Sequence, residues 1–294
     1  KLNVLKQASL PDALTAELAR RYHLVELTAL TDADFRALAG TFTVLITNGE
    51  ATVTRALIAS LPALELIAVF GVGYDGVDVQ AAAEHQVRVS HTPGVLTDDV
   101  ADLALGLMLA TSRQIVAAHK FIEAGEWAAG GFPWTQKVSG SRVGIVGMGR
   151  IGQAIARRCE GFAMQIAYHD RKRLPALNYA WREDLLTLAA ESDFLVICTP
   201  GTAANQGLIN QPVLAALAEK GILINISRGS VIDEPALVAA LESGIIAGAG
   251  LDVFSHEPAV PAGLLQRSNV VVTPHMASAT WSTRAAMAQL VLDN

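Results

Sequence analysis

Short runs of consecutive apolar residues recur along the chain, and between them apolar residues return every third or fourth position. The first pattern marks strands buried on both faces and the second marks amphipathic helices. Their alternation predicts an α/β architecture of parallel sheets covered by helices. In the N-terminal third, strands are expected at 3–5, 24–27, 43–47, 64–70 and 88–90, with helices such as 12–22 and 32–38 between them. Thr31 followed by Asp34 is a helix-start signal.

The texture then changes. Residues 97–123 form an Ala/Leu-rich run interrupted only by Gly106, which predicts one long helix able to cross between two domains. A Gly- and aromatic-rich stretch follows at 125–140, with Trp127, Phe132, Pro133 and Trp134. A second α/β series places strands at 142–147, 165–169, 194–198, 222–226, 249–253 and 270–273, and a last helix is expected from about Ala279 onward. The fold class is therefore α/β with two doubly wound parallel-sheet domains. The first is split into 1–94 and 279–294, and the second, 95–278, is inserted within it.

In the second series, the strand Val143-Gly144-Ile145-Val146 runs directly into Gly147-Met148-Gly149-Arg150-Ile151-Gly152, which opens a helix expected at 153–159. A lone glycine pattern is weak evidence. Here strand, glycines and helix stand in the order that a dinucleotide pyrophosphate requires. Gly147 permits the tight turn, Gly149 a close backbone approach, and Gly152 close helix–strand packing, while the helix N-terminus offers N–H groups to phosphate. Asp170, eighteen residues after Gly152, ends the next strand, where an acid can meet ribose hydroxyls.

Three further segments each end a predicted strand: 225–229 with Arg228, 250–258 with Asp252 and Glu257, and 273–278 with His275. Ligands of open parallel sheets bind at the carboxyl ends of the strands. Arg is a fixed planar cation that holds a carboxylate and polarises a ketone. His can give a proton to a developing alkoxide, and an acid on its other nitrogen favours the protonated ring. Each residue alone has an ordinary structural explanation, and it is their convergence beside a nucleotide motif that points to carbonyl chemistry. Gly71-Val72-Gly73, a Gly-rich turn ending an apolar strand, reads as an anion nest.

Composition narrows the field. Of 294 residues, 51% are hydrophobic and 17% charged, so a large buried core is expected and wholesale disorder is not. The net charge of -6, without a basic stripe, argues against a nucleic-acid partner. Cys159 and Cys198 suit a reducing compartment rather than a disulfide framework, and no Cys/His spacing suggests a metal. The most apolar helical stretch, 100–110, carries Asp102 and is short for a membrane span, and no signal peptide is legible, so a soluble, cytoplasmic protein is expected.

The residues Gly71-Val72-Gly73-Tyr74-Asp75-Gly76-Val77-Asp78 and Leu96-Thr97-Asp98-Asp99-Val100-Ala101-Asp102, the 147–152 motif and the three strand-end segments together resemble the D-isomer-specific 2-hydroxyacid dehydrogenase family. The resemblance spans nearly the whole chain and is strongest to the branch of glyoxylate/hydroxypyruvate and hydroxyphenylpyruvate reductases. It implies an NAD(P)-binding Rossmann domain inserted in a smaller, flavodoxin-like substrate domain. By the same resemblance Arg228 binds and polarises a 2-oxoacid, His275 is the acid/base and Glu257 its partner. The amides of Val72 and Gly73 would receive the substrate carboxylate. Thr199, Pro200 and Ile226 would line the cofactor, and Asp252 would meet its carboxamide. NAD or NADP is implied: Asp170 favours NADH, whereas Arg171, Lys172 and Arg173 could hold a 2′-phosphate. Independently of the resemblance, Asn48-Gly49-Glu50-Ala51 and Gly94-Val95-Leu96 are expected to face the substrate.

A homodimer is expected, since Phe132, Pro133 and Trp134 have no evident role within one chain. Competing readings are a phosphite or formate dehydrogenase on the same scaffold, and a non-enzymatic NAD(H)-sensing module like the corepressors related to this family. Formate dehydrogenases resemble the chain around 170–175 but lack an acid like Glu257, and no partner-binding extension is visible.

Overall fold

The computed structural model describes residues 1–294, which divide into two compact units, Lys1–Leu96 with Ser278–Asn294, and Thr97–Ala277. In the first unit β1 (Asn3–Lys6), β2 (His23–Glu26), β3 (Phe42–Asn48), β4 (Leu66–Phe70) and β5 (Arg88–Ser90) form a sheet of order β2-β1-β3-β4-β5. Every pairing is parallel. Helices α1 (Asp12–Arg21), α2 (Asp32–Leu38), α3 (Arg55–Ala59) and α4 (Val79–Glu84) connect the strands. The Thr31 signal is realised: its hydroxyl accepts the Asp34 N–H at 3.2 Å and donates to the Asp34 carboxylate at 2.6 Å.

The second unit opens with α5 (Thr97–Ser112) and α6 (Ile115–Glu123). Its strands are β6 (Arg142–Val146), β7 (Gln165–His169), β8 (Ala180–Trp181), β9 (Phe194–Ile197), β10 (Ile222–Asn225), β11 (Gly248–Leu251) and β12 (Val270–Val272). Helices α7 (Arg150–Gly161), α8 (Leu185–Ala190), α9 (Gln211–Leu217) and α10 (Glu234–Glu242) link them. The all-parallel order β12-β11-β10-β9-β6-β7-β8 reverses direction at β6, the topological switch point. β9, β10 and β11 are buried at every position, as strands covered on both faces must be. Helix α11 (Trp281–Asp293) returns to the first unit, where the Arg284 guanidinium lies over the Phe70 ring at 5.5 Å.

Several expectations are corrected. The helix expected over 97–123 is two helices meeting at 55°, because Gln114 takes the left-handed conformation (φ 49, ψ 45) that ends one helix before the next starts. No single helix is long and apolar enough to cross a membrane. The nucleotide-motif helix starts at Arg150 rather than at 153, and the last helix at Trp281 behind its cap Thr280. Strands expected to reach residues 147, 198, 226, 253 and 273 stop one or two positions earlier, where the chain leaves the ladder for the turns described below. The two-residue strand β8 carries no periodic signal and was not foreseen. Phe132 has an intrachain role after all, packing edge-on against Phe121 at 5.4 Å between centroids.

Candidate functional site

At the carboxyl edge of the seven-stranded sheet, the turn after β6 and the turn after β9 meet across the switch point. Gly147 sits at φ +91, and a Cβ there would lie 2.8 Å from the Thr199 backbone nitrogen, so glycine is required twice over. Gly152 is needed because a Cβ would lie 2.2 Å from the Gly147 oxygen, whereas Gly149 faces open space. Gly149 is the N-cap of α7 and supplies no side-chain cap, leaving the first N–H groups of a twelve-residue helix, with exposed Arg150 and half-buried Ile151, open to an anion. Asn205 braces the neighbouring turn, donating to Thr199 Oγ1 at 3.0 Å and to the Pro200 oxygen at 2.9 Å. These residues fit a dinucleotide pyrophosphate.

Asp170 stands at the end of β7 and ties its own turn to the glycine loop. Oδ2 accepts the Met148 N–H at 2.9 Å and Oδ1 the Arg171 N–H at 2.7 Å. The segment after it is pinned twice from the sheet: Trp181 Nε1 donates to the Asp170 oxygen at 3.2 Å, and the buried Tyr168 hydroxyl accepts the Leu174 N–H at 2.8 Å. Between these anchors Arg171, Lys172 and Arg173 are exposed.

The candidate catalytic residues leave three consecutive strands, β10, β11 and β12. Fully buried Asn225 shapes the first turn, its Oδ1 accepting the Ser227 N–H at 3.0 Å and its Nδ2 donating to the Arg228 oxygen at 3.0 Å. The Arg228 guanidinium donates to the Ser227 oxygen at 2.9 Å, and Ile226 is buried behind the turn. A Cβ on Gly229 would lie 2.0 Å from the Phe254 carbonyl carbon, so glycine alone lets the Arg228 and Glu257 segments touch. Glu257 Oε2 lies 2.7 Å from His275 Nδ1, and Oε1 accepts the Phe254 N–H at 2.9 Å. Burial pushes the Glu257 carboxyl up, but the bonds from His275 and Phe254 with nearby charge outweigh it and hold the group below its ordinary value.

His275 is held in a left-handed conformation at φ 48, its N–H shared between the Asp252 and Thr273 oxygens. Beneath it, fully buried Asp252 accepts from Thr273 Oγ1 at 2.6 Å, Met276 N at 2.9 Å and Ala277 N at 3.0 Å. Burial raises the Asp252 carboxyl despite these bonds. The residue expected to meet a carboxamide thus has its carboxylate turned into the His275 turn.

In the first unit, Gly71-Val72-Gly73 follows β4, and neither the Val72 nor the Gly73 N–H donates to a protein acceptor. The Asn48 side chain is engaged with its own loop, accepting from Glu50 N and Ala51 N and donating to the Ser9 oxygen.

Comparison with known proteins is consistent with this geometry. Residues 105–277 match the family model for the D-isomer specific 2-hydroxyacid dehydrogenase, NAD binding domain. A hydroxyphenylpyruvate reductase from Plectranthus scutellarioides is 45% identical, the alignment covering 100% of this chain and 94% of that protein. The chain belongs to the D-isomer-specific 2-hydroxyacid dehydrogenase family. Another member, a glyoxylate/hydroxypyruvate reductase from Arabidopsis thaliana, is 40% identical with the same coverage. Among solved structures of such enzymes, a 2-hydroxyacid dehydrogenase from Ketogulonicigenium vulgare superposes with a TM-score of 0.93 at 42% identity, covering 100% of this chain and 94% of that one. An NADPH-dependent glyoxylate/hydroxypyruvate reductase from Sinorhizobium meliloti, solved with NADP and malonate, also gives 0.93 at 42% identity, covering 100% and 92%.

Sequence reasoning for this family member overlooked the residues that hold the site rather than form it. Asn225, Asn205, Trp181 and the bracing role of Asp252 act through bonds whose partners lie elsewhere in the chain or in turns. For Asn225 a signal was present: a polar residue closing a wholly apolar strand asks for a buried partner.

Proposed function

We propose that the chain reduces a small 2-oxoacid, of the glyoxylate or hydroxypyruvate type, to the D-2-hydroxyacid. The observation that carries this reading is the 2.7 Å pairing of Glu257 with His275 at the carboxyl edge that also bears Arg228 and the nucleotide turn. A bound nicotinamide cofactor supplies the hydride. Arg228 holds the substrate and polarises its carbonyl, so that negative charge develops on oxygen against a fixed cation. Ionised Glu257 can only accept, so His275 carries a proton on Nδ1 and presents Nε2 to the reacting oxygen, which it protonates. The free amides of Val72 and Gly73 take the substrate carboxylate, and Asn48 shapes the neighbouring loop.

The Thr97–Ala277 unit is the nucleotide-binding domain and the other unit the substrate domain. Gly147, Gly149, Arg150, Ile151 and Gly152 cradle the pyrophosphate, with Thr199, Pro200 and Ile226 around the cofactor. Asp170 accepts from the adenosine ribose and favours NADH, while Arg171 offers a contact for NADPH, the cofactor in the name of the Sinorhizobium relative. Asp252 serves the cofactor end of the site through the His275 turn. A formate-type reading lacks support, because the acid beside the histidine is present and engaged.

The protein acts as a cytoplasmic homodimer in this reading. Helix α6 has no buried residue and exposes Ile115, Val116 and Ile122, and Trp127 and Trp134 are exposed nearby in sequence. A groove of about 550 Å³ runs beside them, lined by Leu109, Arg113, Phe132, Trp134 and Phe162. An apolar surface of this kind suits a second copy. Loss of NADH or NADPH absorbance with glyoxylate tests the activity, and chiral analysis of the product tests its hand: no turnover, or an L product, refutes the reading. Light scattering at micromolar concentration tests the dimer.

A further inference from the structure

The turn 71–73 is held from behind by the segment that follows β5. Thr92 N–H donates to the Gly71 oxygen at 2.8 Å, and Thr92 Oγ1 accepts the Gly71 N–H at 3.1 Å. His91 Nδ1 lies 2.8 Å from the Val72 oxygen. A carbonyl only accepts, so Nδ1 carries the proton in this bond. The His91 ring is fixed in turn by Tyr74, edge-on at 5.0 Å between centroids.

The geometry of the trans peptide makes these contacts consequential. Its C=O and N–H point in opposite directions within one plane. The Gly71–Val72 peptide has its carbonyl held by Thr92, and the Val72–Gly73 peptide has its carbonyl held by His91. Anchoring both carbonyls on one side therefore aims the Val72 and Gly73 N–H groups to the other, and these are the two N–H groups without a protein acceptor. A hydrogen bond to the carbonyl also polarises the peptide and strengthens its N–H as a donor. Thr92 acts on the first plane through its backbone. The second plane depends on one side chain.

We propose that His91 is a positioning residue for substrate: by holding the Val72 carbonyl it sets the direction and strength of the Gly73 N–H that receives the carboxylate of the 2-oxoacid. This rests on the reading of 71–73 as the carboxylate nest. Carboxylate binding is common to the bound substrate and the transition state, so the effect falls on KM and leaves kcat nearly untouched.

The test uses the full chain with glyoxylate and saturating NADH or NADPH. His91→Ala and His91→Phe, the latter keeping a ring against Tyr74, are expected to raise KM roughly 3- to 10-fold, the worth of one hydrogen bond. Cofactor Kd, read by fluorescence, should stay at the wild-type value and report an intact fold. His91→Asn places an amide N–H where Nδ1 stands and should recover most of the loss. An unchanged KM in both donorless variants, or a rise that His91→Asn does not reduce, overturns the proposal. Gly73→Pro separates it from the underlying reading, since proline removes the N–H itself. If Gly73→Pro keeps the wild-type KM, the nest is misassigned; if it raises KM while His91→Ala and His91→Phe do not, His91 alone is misassigned.

Discussion

Glu257 and His275 are joined through Oε2 and Nδ1 at 2.7 Å, and the second oxygen of Glu257 is bound by the Phe254 N–H. The carboxylate is thereby fixed at both oxygens, and the imidazole it holds is committed through Nδ1. A lone histidine at this turn would be free to rotate and to choose either tautomer. The pair removes both freedoms before substrate arrives.

His275→Ala is expected to lower kcat by roughly 10²- to 10⁴-fold, the usual worth of a placed general acid. Cofactor affinity should survive, because the nucleotide turn is built from other segments. Wild-type turnover in this variant would remove His275 from the mechanism.

The pH dependence follows from the same contact. Glu257 titrates below its ordinary value of 4.5 when folded, so its charge stabilises the native state above that pH. That stability is lost as pH falls through the lowered value. Melting temperatures should therefore decline less steeply below pH 4.5 for Glu257→Gln than for wild type. The neutral amide also ceases to favour the imidazolium, so the alkaline limb of kcat for reduction should move to lower pH. An unmoved limb would mean that Glu257 does not act on His275.

Arg228→Ala should cost roughly 10²- to 10³-fold in kcat/KM, since no neutral group replaces a cation on the polarised carbonyl. Arg228→Lys should recover charge without the planar fork and restore part of the loss. Steady-state kinetics on glyoxylate decide it, and equal activity of the three proteins would rule out the assigned role.

Asp252→Asn keeps size but replaces one carboxylate oxygen with an NH₂, so that either the Ala277 N–H or the Met276 N–H and Thr273 hydroxyl meet a donor in place of an acceptor. With Met276 N and Ala277 N beneath the turn, the loss is expected to be about 1–3 kcal/mol of stability. Activity should fall with it as His275 loses its fixed position. Thermal melts together with kcat provide the check, and a variant stable and active as wild type would show the buried carboxylate to be dispensable.

If Asp170 accepts from the ribose as proposed, Asp170→Ala removes that acceptor and the charge that repels a 2′-phosphate, so the ratio of kcat/KM for NADPH over NADH should rise. Arg171→Ala should move the ratio the other way. In the wild type NADH is expected to lead. A tenfold or greater preference for NADPH would mean, on about 1.4 kcal/mol per decade, that the phosphate contact of Arg171 outweighs the carboxylate.

Much of this was legible in the chain itself. Apolar runs such as 194–197 and 222–224 announce strands covered on both faces, and Gly147, Gly149 and Gly152 announce the nucleotide turn, because local sterics and burial act residue by residue. Arg228, Glu257 and His275 were recognisable as residues placed just beyond strand ends. The break at Gln114 was not, since a left-handed residue in an Ala/Leu-rich run leaves no mark in periodicity.

Sequence alone thus determined the α/β class and the family and nominated the chemical groups, all from short-range pattern. Tertiary structure decided how those groups are held. Asn225 closes the Arg228 turn, Gly229 admits Phe254, Asp252 lies under His275, and His91 reaches back to Val72. Each of these is a hydrogen bond or a close approach made across a turn or between segments distant in sequence. Such contacts form when packing brings the partners within about 3 Å, a distance that no spacing along the chain encodes.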